Sequence, residues 1–416
     1  MAAVLEKKLK LNSPDALLLA ALVNREKQIR HITETAEIVI VGGGIAGAYL
    51  ACCLGEAGVS AVVLEQSSKI SYDGQTAISL KTLKSFPLLR GVQKRADSNL
   101  DIVSPKGQIL SPSQEEKKIS FFSRSELETF LVEEAIARGA VFHRERVLSA
   151  LPDRGTWTVQ TENRTVSCRF VVGADGWNSM IRSVVSSPIS KEDLLFGAGC
   201  LAKTSQGTGL QIRFLDDGEY VRTVKWGDSA SFGVFGSALK AKDIRYTLDN
   251  LVRLSLGTIR PVSPWAAFIP CPSSEQFYSQ PCSGRNWILI GDAAGHVHPL
   301  SGEGIHYALW SAELASQALL CGEPRLFDTL WHDSYGYELQ TAVKIRNSMM
   351  KHGKSAEWLF SVASRSHTIE RFLTDISLAG MLENRMAFRV IKELPLSILE
   401  LVGANLKGWL KGDNRA

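Results

Sequence analysis

The run Glu37-Ile-Val-Ile-Val-Gly42-Gly-Gly44-Ile-Ala-Gly47 constrains the fold more than any other segment. A short apolar strand enters G-x-G-x-x-G directly. The stretch Ala48 to Ala57 is helix-compatible, and Gly58 ends it. A second apolar strand, Ser60-Ala-Val-Val-Leu64, closes on Glu65. A β-α-β unit in this order, ending on a carboxylate, suits an adenine dinucleotide. Gly42 permits the tight turn, Gly44 lets backbone approach a pyrophosphate, and Gly47 lets the helix pack close to the sheet. The pyrophosphate rests on the free N–H groups and positive end of the helix, at Ile45 and Ala46. Glu65, followed by Gln66, accepts hydrogen bonds from ribose hydroxyls. The unit alone leaves FAD and NAD both open.

A chain of 416 residues exceeds what one core normally serves, so two intertwined domains are expected. Hydrophobic content of 45% and charged content of 22% are those of an ordinary globular protein. A net charge of +4 without a Lys/Arg cluster gives no reason to expect nucleic acid. The seven cysteines form no C-x-x-C pair and no metal-ligand spacing, which reads as reduced, mostly buried thiols in a cytoplasmic protein. No apolar run approaches the roughly 18 residues that span a bilayer. Ala16 to Val23 is followed by Asn24-Arg-Glu-Lys and no small-residue cleavage site, which argues against a signal peptide. Ser13-Pro14-Asp15 starts a helix over 14–31. That helix packs on the body of the protein or, alternatively, makes a peripheral membrane or partner contact.

Residues 67–118 read as irregular connections with short helices and strands. Ser123 to Gly139 has helix signals, with Leu127, Phe130, Leu131 and Ala135 on one face. Strands follow at Val141-Phe142 and 146–151, and 156–161 with 165–172 alternates like a hairpin. From about 191 the character changes. Segments 194–204, 209–215, 219–226 and 230–237 read as four strands between Gly/Asp turns. A helix is expected over 240–256 and a strand over 265–269. Trp287-Ile-Leu-Ile290 returns to a buried-strand pattern, and 304–320 is a long helix. Residues 325–390 are helical in character, and 396–411 form a final amphipathic helix.

Two further strand ends carry motifs. Gly173-Ala-Asp175-Gly176, with Ser179 three residues on, sets a carboxylate at a strand's carboxyl end beside a flexible Gly. Gly291-Asp292-Ala-Ala-Gly295 does the same, then runs through His296, His298, Pro299, Gly302 and Glu303 into a helix that starts near Gly304. Asp292 is placed for polyol hydroxyls. The helix aims its positive end at the same edge, where reduced flavin carries negative charge.

In this order the three motifs resemble the signature of FAD oxidoreductases of the p-hydroxybenzoate hydroxylase fold, over about residues 36–320. The resemblance implies an α/β protein. A Rossmann-like FAD-binding domain covers 34–190 and 287–345, and an inserted mostly-β substrate domain covers 191–286. An N-terminal helical extension over 1–33 and a helical C-terminal region over 346–416 complete it. It implies that Gly42, Gly44, Ile45, Ala46, Gly47, Glu65 and Gln66 hold the ADP part of FAD, with Val147 meeting adenine through its backbone. Arg124 lies near the pyrophosphate and ribityl. Asp175 with Gly176, and Gly291 with Asp292, hold the cofactor's middle. Pro299, Gly302, Glu303, Gly304 and Ile305 lie against the ring, and a loop with Asp73-Gly74-Gln75 borders it.

Gly291 to Leu309 resembles the geranylgeranyl reductase-like branch most closely. That branch's Cys-Gly-Gly segment is replaced here by Tyr72-Asp-Gly-Gln-Thr-Ala-Ile. Its Tyr-x-Trp-x-Phe-Pro strand is replaced by Tyr220-Val-Arg-Thr-Val-Lys225. The expected function is therefore monooxygenase-type oxidation of a hydrophobic or aromatic small molecule, with NAD(P)H as electron donor. The alternatives are reduction of a double bond in a prenyl or lipid substrate and a non-catalytic flavin-binding assembly protein. No second complete G-x-G-x-x-G unit exists, so hydride arrives transiently or from a separate flavin reductase. His296 and His298 are the candidate catalytic proton carriers, the alternative being that they orient the loop. Glu303 either joins the chemistry or complements the helix dipole. Phe214, Tyr220, Trp226, Phe232, Phe235 and Trp265 are the inserted-layer aromatics, in the core or facing the substrate.

Overall fold

The apolar residues before Gly42 and Glu65 form parallel strands buried on both faces, which is why they read as unbroken hydrophobic runs. The computed structural model describes residues 32–67, 75–92, 94, 96–98, 100–111, 119–215, 219–254, 260–351, 357 and 360. The helices expected over 14–31 and 396–411, and the Asp73-Gly74 loop, lie outside the described residues.

In chain order, β1 (Ile32–Val41), α1 (Ile45–Glu56) and β2 (Val62–Leu64) form the opening unit. Next come β3 (Gln75–Ser79), α2 (Leu80–Ser85), β4 (Ala96–Ser98), β5 (Leu100–Val103), β6 (Ile109–Leu110) and β7 (Ile119–Ser123). Helix α3 (Arg124–Ala137) precedes β8 (Val141–His143), β9 (Val147–Asp153), β10 (Thr156–Thr161), β11 (Arg164–Gly173) and α4 (Met180–Val185). Then follow β12 (Leu194–Phe214), β13 (Tyr220–Ser237), α5 (Ala241–Leu254) and β14 (Arg260–Pro270). The chain returns through β15 (Trp287–Leu289) to α6 (Ile305–Leu320), α7 (Leu326–Trp331) and α8 (Tyr337–Lys351).

The first sheet runs β8-β2-β1-β11-β10-β9. Strand β11 pairs with antiparallel β10 along its first half and with parallel β15 at Val171–Gly173. Strands β2, β1, β11 and β15 therefore end at one edge, and all three glycine motifs follow those ends. Val39, Ile40, Val63, Val171, Val172, Ile288 and Leu289 are fully buried there. Each such side chain contributes about 1.5–3 kcal/mol.

Helix α1 is apolar nearly all round because it lies between the sheet, α3 and α6. The close approach requires its glycines. A Cβ on Gly42, which has φ +102°, would stand 2.2 Å from the Ala174 carbonyl oxygen. One on Gly47 would stand 1.9 Å from the Gly42 carbonyl oxygen.

The second sheet departs from the four short strands expected. Residues 194–214 and 220–237 are two long antiparallel strands of 21 and 18 residues. Gly207 faces Gly227 at a register irregularity after Lys203. The signals at Gly207 and Gly227-Asp228 mark that irregularity and end neither strand, because cross-strand pairing outweighs local turn preference. Strand β13 takes one edge of β12, and the other is shared by β14 at Leu194–Lys203 and by β5, with β6 beside it, at Leu210–Arg213. Strands β3, β7 and β4 form a third, small sheet. The helix and strand elements read over 123–173 and 287–320 are present, with ends shifted by a residue or two. No helix among the described residues is long and apolar enough to cross a membrane.

Candidate cofactor and substrate site

A cavity of about 700 Å³ lies between the first sheet's motif edge and the second sheet's face. Its two sides have different chemistry. The motif side offers backbone N–H groups and carboxylates, and the sheet side offers aromatic rings and one arginine.

At the motif side, Gly44 heads α1 with no side-chain cap. Ile45 and Ala46 line the cavity, and no described residue accepts from their N–H groups. A Cβ on Gly44 would meet nothing within 4 Å, since it points into the cavity. A bare helix N-terminus beside open space is a phosphate cradle. Glu65 accepts from the N–H groups of Gly43 at 2.7 Å and Ser67 at 2.8 Å, which fixes its carboxylate at the end of β2. Gln66 beside it is exposed.

Arg124 is the first residue of α3, whose N-cap Ser123 accepts from the Glu126 N–H. Its Nε donates to Glu128 at 2.9 Å, and both residues line the cavity. Asp292 also lines it, and no described group donates to its carboxylate. Burial raises the Asp292 pKa, with Arg124 opposing. An acceptor-only group left without donors at a cavity wall fits ribityl hydroxyls, so these residues suit FAD.

Asp175 follows the end of β11, as the motif suggests, and is not among the cavity-lining residues. Its carboxylate accepts from Ser179 Oγ and from the N–H groups of Met180 at 2.7 Å and Ile181 at 3.3 Å. It closes the turn into α4, while its neighbours Ala174, Gly176 and Trp177 line the cavity. Val147 is buried at the start of β9, away from the cavity lining. Gln75 begins β3.

The third motif forms a tight loop. Gly291 and Gly302 have φ of +56° and +67°. The Gly302 N–H donates to the His298 carbonyl, and the His298 N–H to the Glu303 carbonyl, both at 2.9 Å. The Cys271 thiol donates to the buried Pro299 carbonyl at 3.2 Å. Glu303 Oε1 accepts from Ile305 at 3.0 Å and His306 at 3.3 Å, so it complements the α6 dipole. Burial raises its pKa, and Arg222 and these N–H groups oppose the rise.

The two candidate catalytic histidines stand behind this loop. His296 and His298 are both fully buried, and neither lines the cavity. His296 Nδ1 lies 2.9 Å from Tyr335 Oη, and its Nε2 lies 3.7 Å from Cys282 Sγ. His298 Nδ1 lies 3.1 Å from Ser301 Oγ. Burial depresses both imidazoles to about 3. Buried rings behind the cavity lining are placed to orient the loop, the alternative expected for them.

The opposite wall includes Val224, Phe235, Trp265 and Phe268. Trp265 lies on a floor of glycines. Added Cβ atoms on Gly199 and Gly233 would stand 2.4 Å and 2.5 Å from its ring. Tyr220 stacks behind Phe235 at 5.0 Å, and Trp177 tilts against Phe268 at 4.7 Å. Of the aromatics expected, Phe235 and Trp265 reach the cavity. Phe214 packs on Tyr220 and Phe360, and Phe232 belongs to the core. Sequence reading missed Arg222, Trp177, Phe268 and Glu128. Only Glu128 (four residues after Arg124) and Trp177 (next to Gly176) carry a local signal.

Residues 35–206 match the FAD binding domain family. The chain is 26% identical over 332 residues to ubiquinone hydroxylase UbiL of Rhodospirillum rubrum, covering 70% of this chain and 73% of that one. It is 27% identical over 307 residues to geranylgeranyl diphosphate reductase of Rhodobacter capsulatus, covering 68% and 76%. Among solved structures, a geranylgeranyl bacteriochlorophyll reductase-like protein of Thermoplasma acidophilum superposes with a TM-score of 0.72. That match has 16% identity and covers 87% of this chain and all of the other.

Proposed function

We propose that this chain, an FAD-dependent oxidoreductase of the p-hydroxybenzoate hydroxylase fold with a geranylgeranyl reductase-like third motif, acts as a monooxygenase on a compact hydrophobic or aromatic molecule. The carrying observation is the aromatic wall of Phe235, Trp265 and Phe268 across the cavity from Gly302–Ile305. Ligand pockets typically measure about 300–1,000 Å³. The 700 Å³ here would be shared between the flavin and a compact substrate.

Ile45 and Ala46 would hold the FAD pyrophosphate, Glu65 the adenosine ribose, and Asp292 with Arg124 the ribityl chain. Gly302 to Ile305 would lie against the ring. Bound FAD supplies the redox chemistry, passing electrons from NAD(P)H to oxygen or to a double bond. The protein's own contribution is orientation and exclusion of water. The aromatic wall would exclude water from the cavity, and the buried His296 and His298 would keep the flavin loop rigid without adding charge. The reading includes a cytoplasmic location, with electrons taken directly from NAD(P)H or from a separate flavin reductase. The N-terminal segment is the candidate for a peripheral membrane contact.

The second reading, reduction of a prenyl or lipid double bond, draws support from the likeness of Gly291 to Leu309 to the reductase branch. An assay of the holoprotein with NADH or NADPH and a panel of one- and two-ring aromatics separates the two. Under air, oxygen consumption coupled to product is expected, and under argon no product. Turnover that continues under argon would overturn the monooxygenase reading in favour of the reductase.

A further inference from the structure

Gly197, Gly199 and Gly233 form a patch of side-chain-free backbone on the face of the second sheet that meets the cavity. In the ladder Gly199 stands between Gly233 of β13 and Trp265 of β14, and Gly197 stands beside Phe235. Strand side chains ordinarily project from the sheet. The indole of Trp265 instead lies across its neighbours, from β14 over β12 to β13. An added Cβ would stand 2.4 Å from its Cζ2 at Gly199, 2.5 Å from its Cη2 at Gly233 and 3.4 Å from its Cζ3 at Gly197. Phe235 comes the other way, and a Cβ on Gly197 would stand 2.6 Å from its ring. The two rings meet at 5.7 Å, tilted by 43°. Trp265 and Phe235 line the cavity, and none of the three glycines does. The rings therefore fill a slot whose base is peptide backbone.

Glycine inside a strand weakens it and marks a close approach. Three at one spot make room for a side chain pressed flat onto the sheet. The two rings in the slot differ in their support. Phe235 has Tyr220 stacked behind it at 5.0 Å, with the planes 10° apart. Trp265 belongs to β14, which among the described strands pairs with β12 alone. Every residue from Pro264 to Ile269 lines the cavity. The indole thus separates the cavity from the glycine base, and shortening that one side chain would extend the cavity across β12 without moving a strand. We propose that Trp265 is a specificity-determining residue that sets the length of the substrate. Its indole closes the slot, admitting a compact ring and excluding a ring that carries an extended alkyl or prenyl chain. This deepens the proposed function and rests on the cavity being the substrate site.

The test uses FAD-loaded protein and two probes with the same head group, 4-ethylphenol and 4-hexylphenol, titrated by their perturbation of the flavin spectrum. The added methylenes would by themselves tighten binding to an open apolar pocket. Wild type should instead bind 4-hexylphenol about tenfold more weakly than 4-ethylphenol. W265A should reverse that order while keeping its FAD content, and W265F should fall between. Wild type that binds 4-hexylphenol as tightly as 4-ethylphenol, or more tightly, would overturn the proposal while leaving the cavity reading intact. So would a W265A variant that keeps the wild-type order. If W265A does not retain FAD, W265F decides alone, and a preference for 4-ethylphenol as strong as that of wild type would overturn the proposal. If neither probe perturbs the flavin of wild type, the cavity reading falls and the proposal with it.

Discussion

Gly44→Ala separates cofactor binding from folding. Gly44 has φ −71° and ψ −168°, which alanine adopts without strain. Its Cβ would enter open space. Two small terms oppose each other in the apoprotein. Less backbone freedom in the unfolded chain stabilises by about 0.4–1 kcal/mol. Alanine is a poorer N-cap than glycine, which costs a fraction of ~1 kcal/mol. The net change in apoprotein stability is within about 0.5 kcal/mol of zero. FAD binding should suffer much more. The new methyl stands where the pyrophosphate approaches Ile45 and Ala46. Losing one charge-assisted hydrogen bond costs ~1.5–3 kcal/mol, a weakening of roughly ten- to a hundredfold. Gly47→Ala is the opposite control, because its Cβ would lie 1.9 Å from the Gly42 carbonyl oxygen. That variant should lose several kcal/mol of stability or fail to fold. Urea unfolding of the apoproteins, with FAD titration by fluorescence quenching, measures both quantities. A G44A variant that binds FAD like wild type, or that unfolds as readily as G47A, would show that the pyrophosphate does not approach Gly44.

Three further outcomes follow from the same geometry. Asp292→Asn should raise apoprotein stability, because burial disfavours the carboxylate in the fold, while weakening FAD binding; a fall in both would show that the carboxylate has a protein partner. His296 and His298 fall from about 6.5 when unfolded to about 3 when folded, so the unfolded chain takes up protons first as pH drops. Their contribution is whole above pH 6.5 and is lost between 6.5 and 3, at up to about 1.4 kcal/mol per pH unit for each ring; H298Q should flatten the measured slope by about one proton's worth. Gly199→Ala sets a Cβ 2.2 Å from the Phe232 carbonyl oxygen and 2.4 Å from Trp265. It should cost ~1–3 kcal/mol and shift tryptophan emission, with FAD affinity changed less than twofold; unchanged emission would contradict the glycine floor.

The β-α-β unit was readable because each of its signals is local. Parallel buried strands are continuous apolar runs, and Gly42, Gly44 and Gly47 serve three different steric needs at fixed spacing. The flavin loop was readable as a loop, but its side chains' directions were not. His296 owes its burial to Tyr335, 39 residues further along, and to Cys282 from another segment. Asp175 looked like a ligand from its place at a strand end, yet the N–H groups of its own turn satisfy it first. In β12 and β13, glycines that read as strand ends face each other across the ladder. Arg222 sits in an alternating strand where a charged residue normally marks the solvent face. Only the packing of the second sheet over the motif edge turns it inward.

One cavity would hold FAD along the three motifs, with its ring between Gly302–Ile305 and the Phe235–Trp265 wall. A crystal structure of the FAD complex tests it directly. Pyrophosphate oxygens are expected on the N–H groups of Ile45 and Ala46, ribityl hydroxyls on Asp292, and Arg222 on the ring's open side. A ring that packs away from Trp265, or an adenine end found at Asp292, would contradict it.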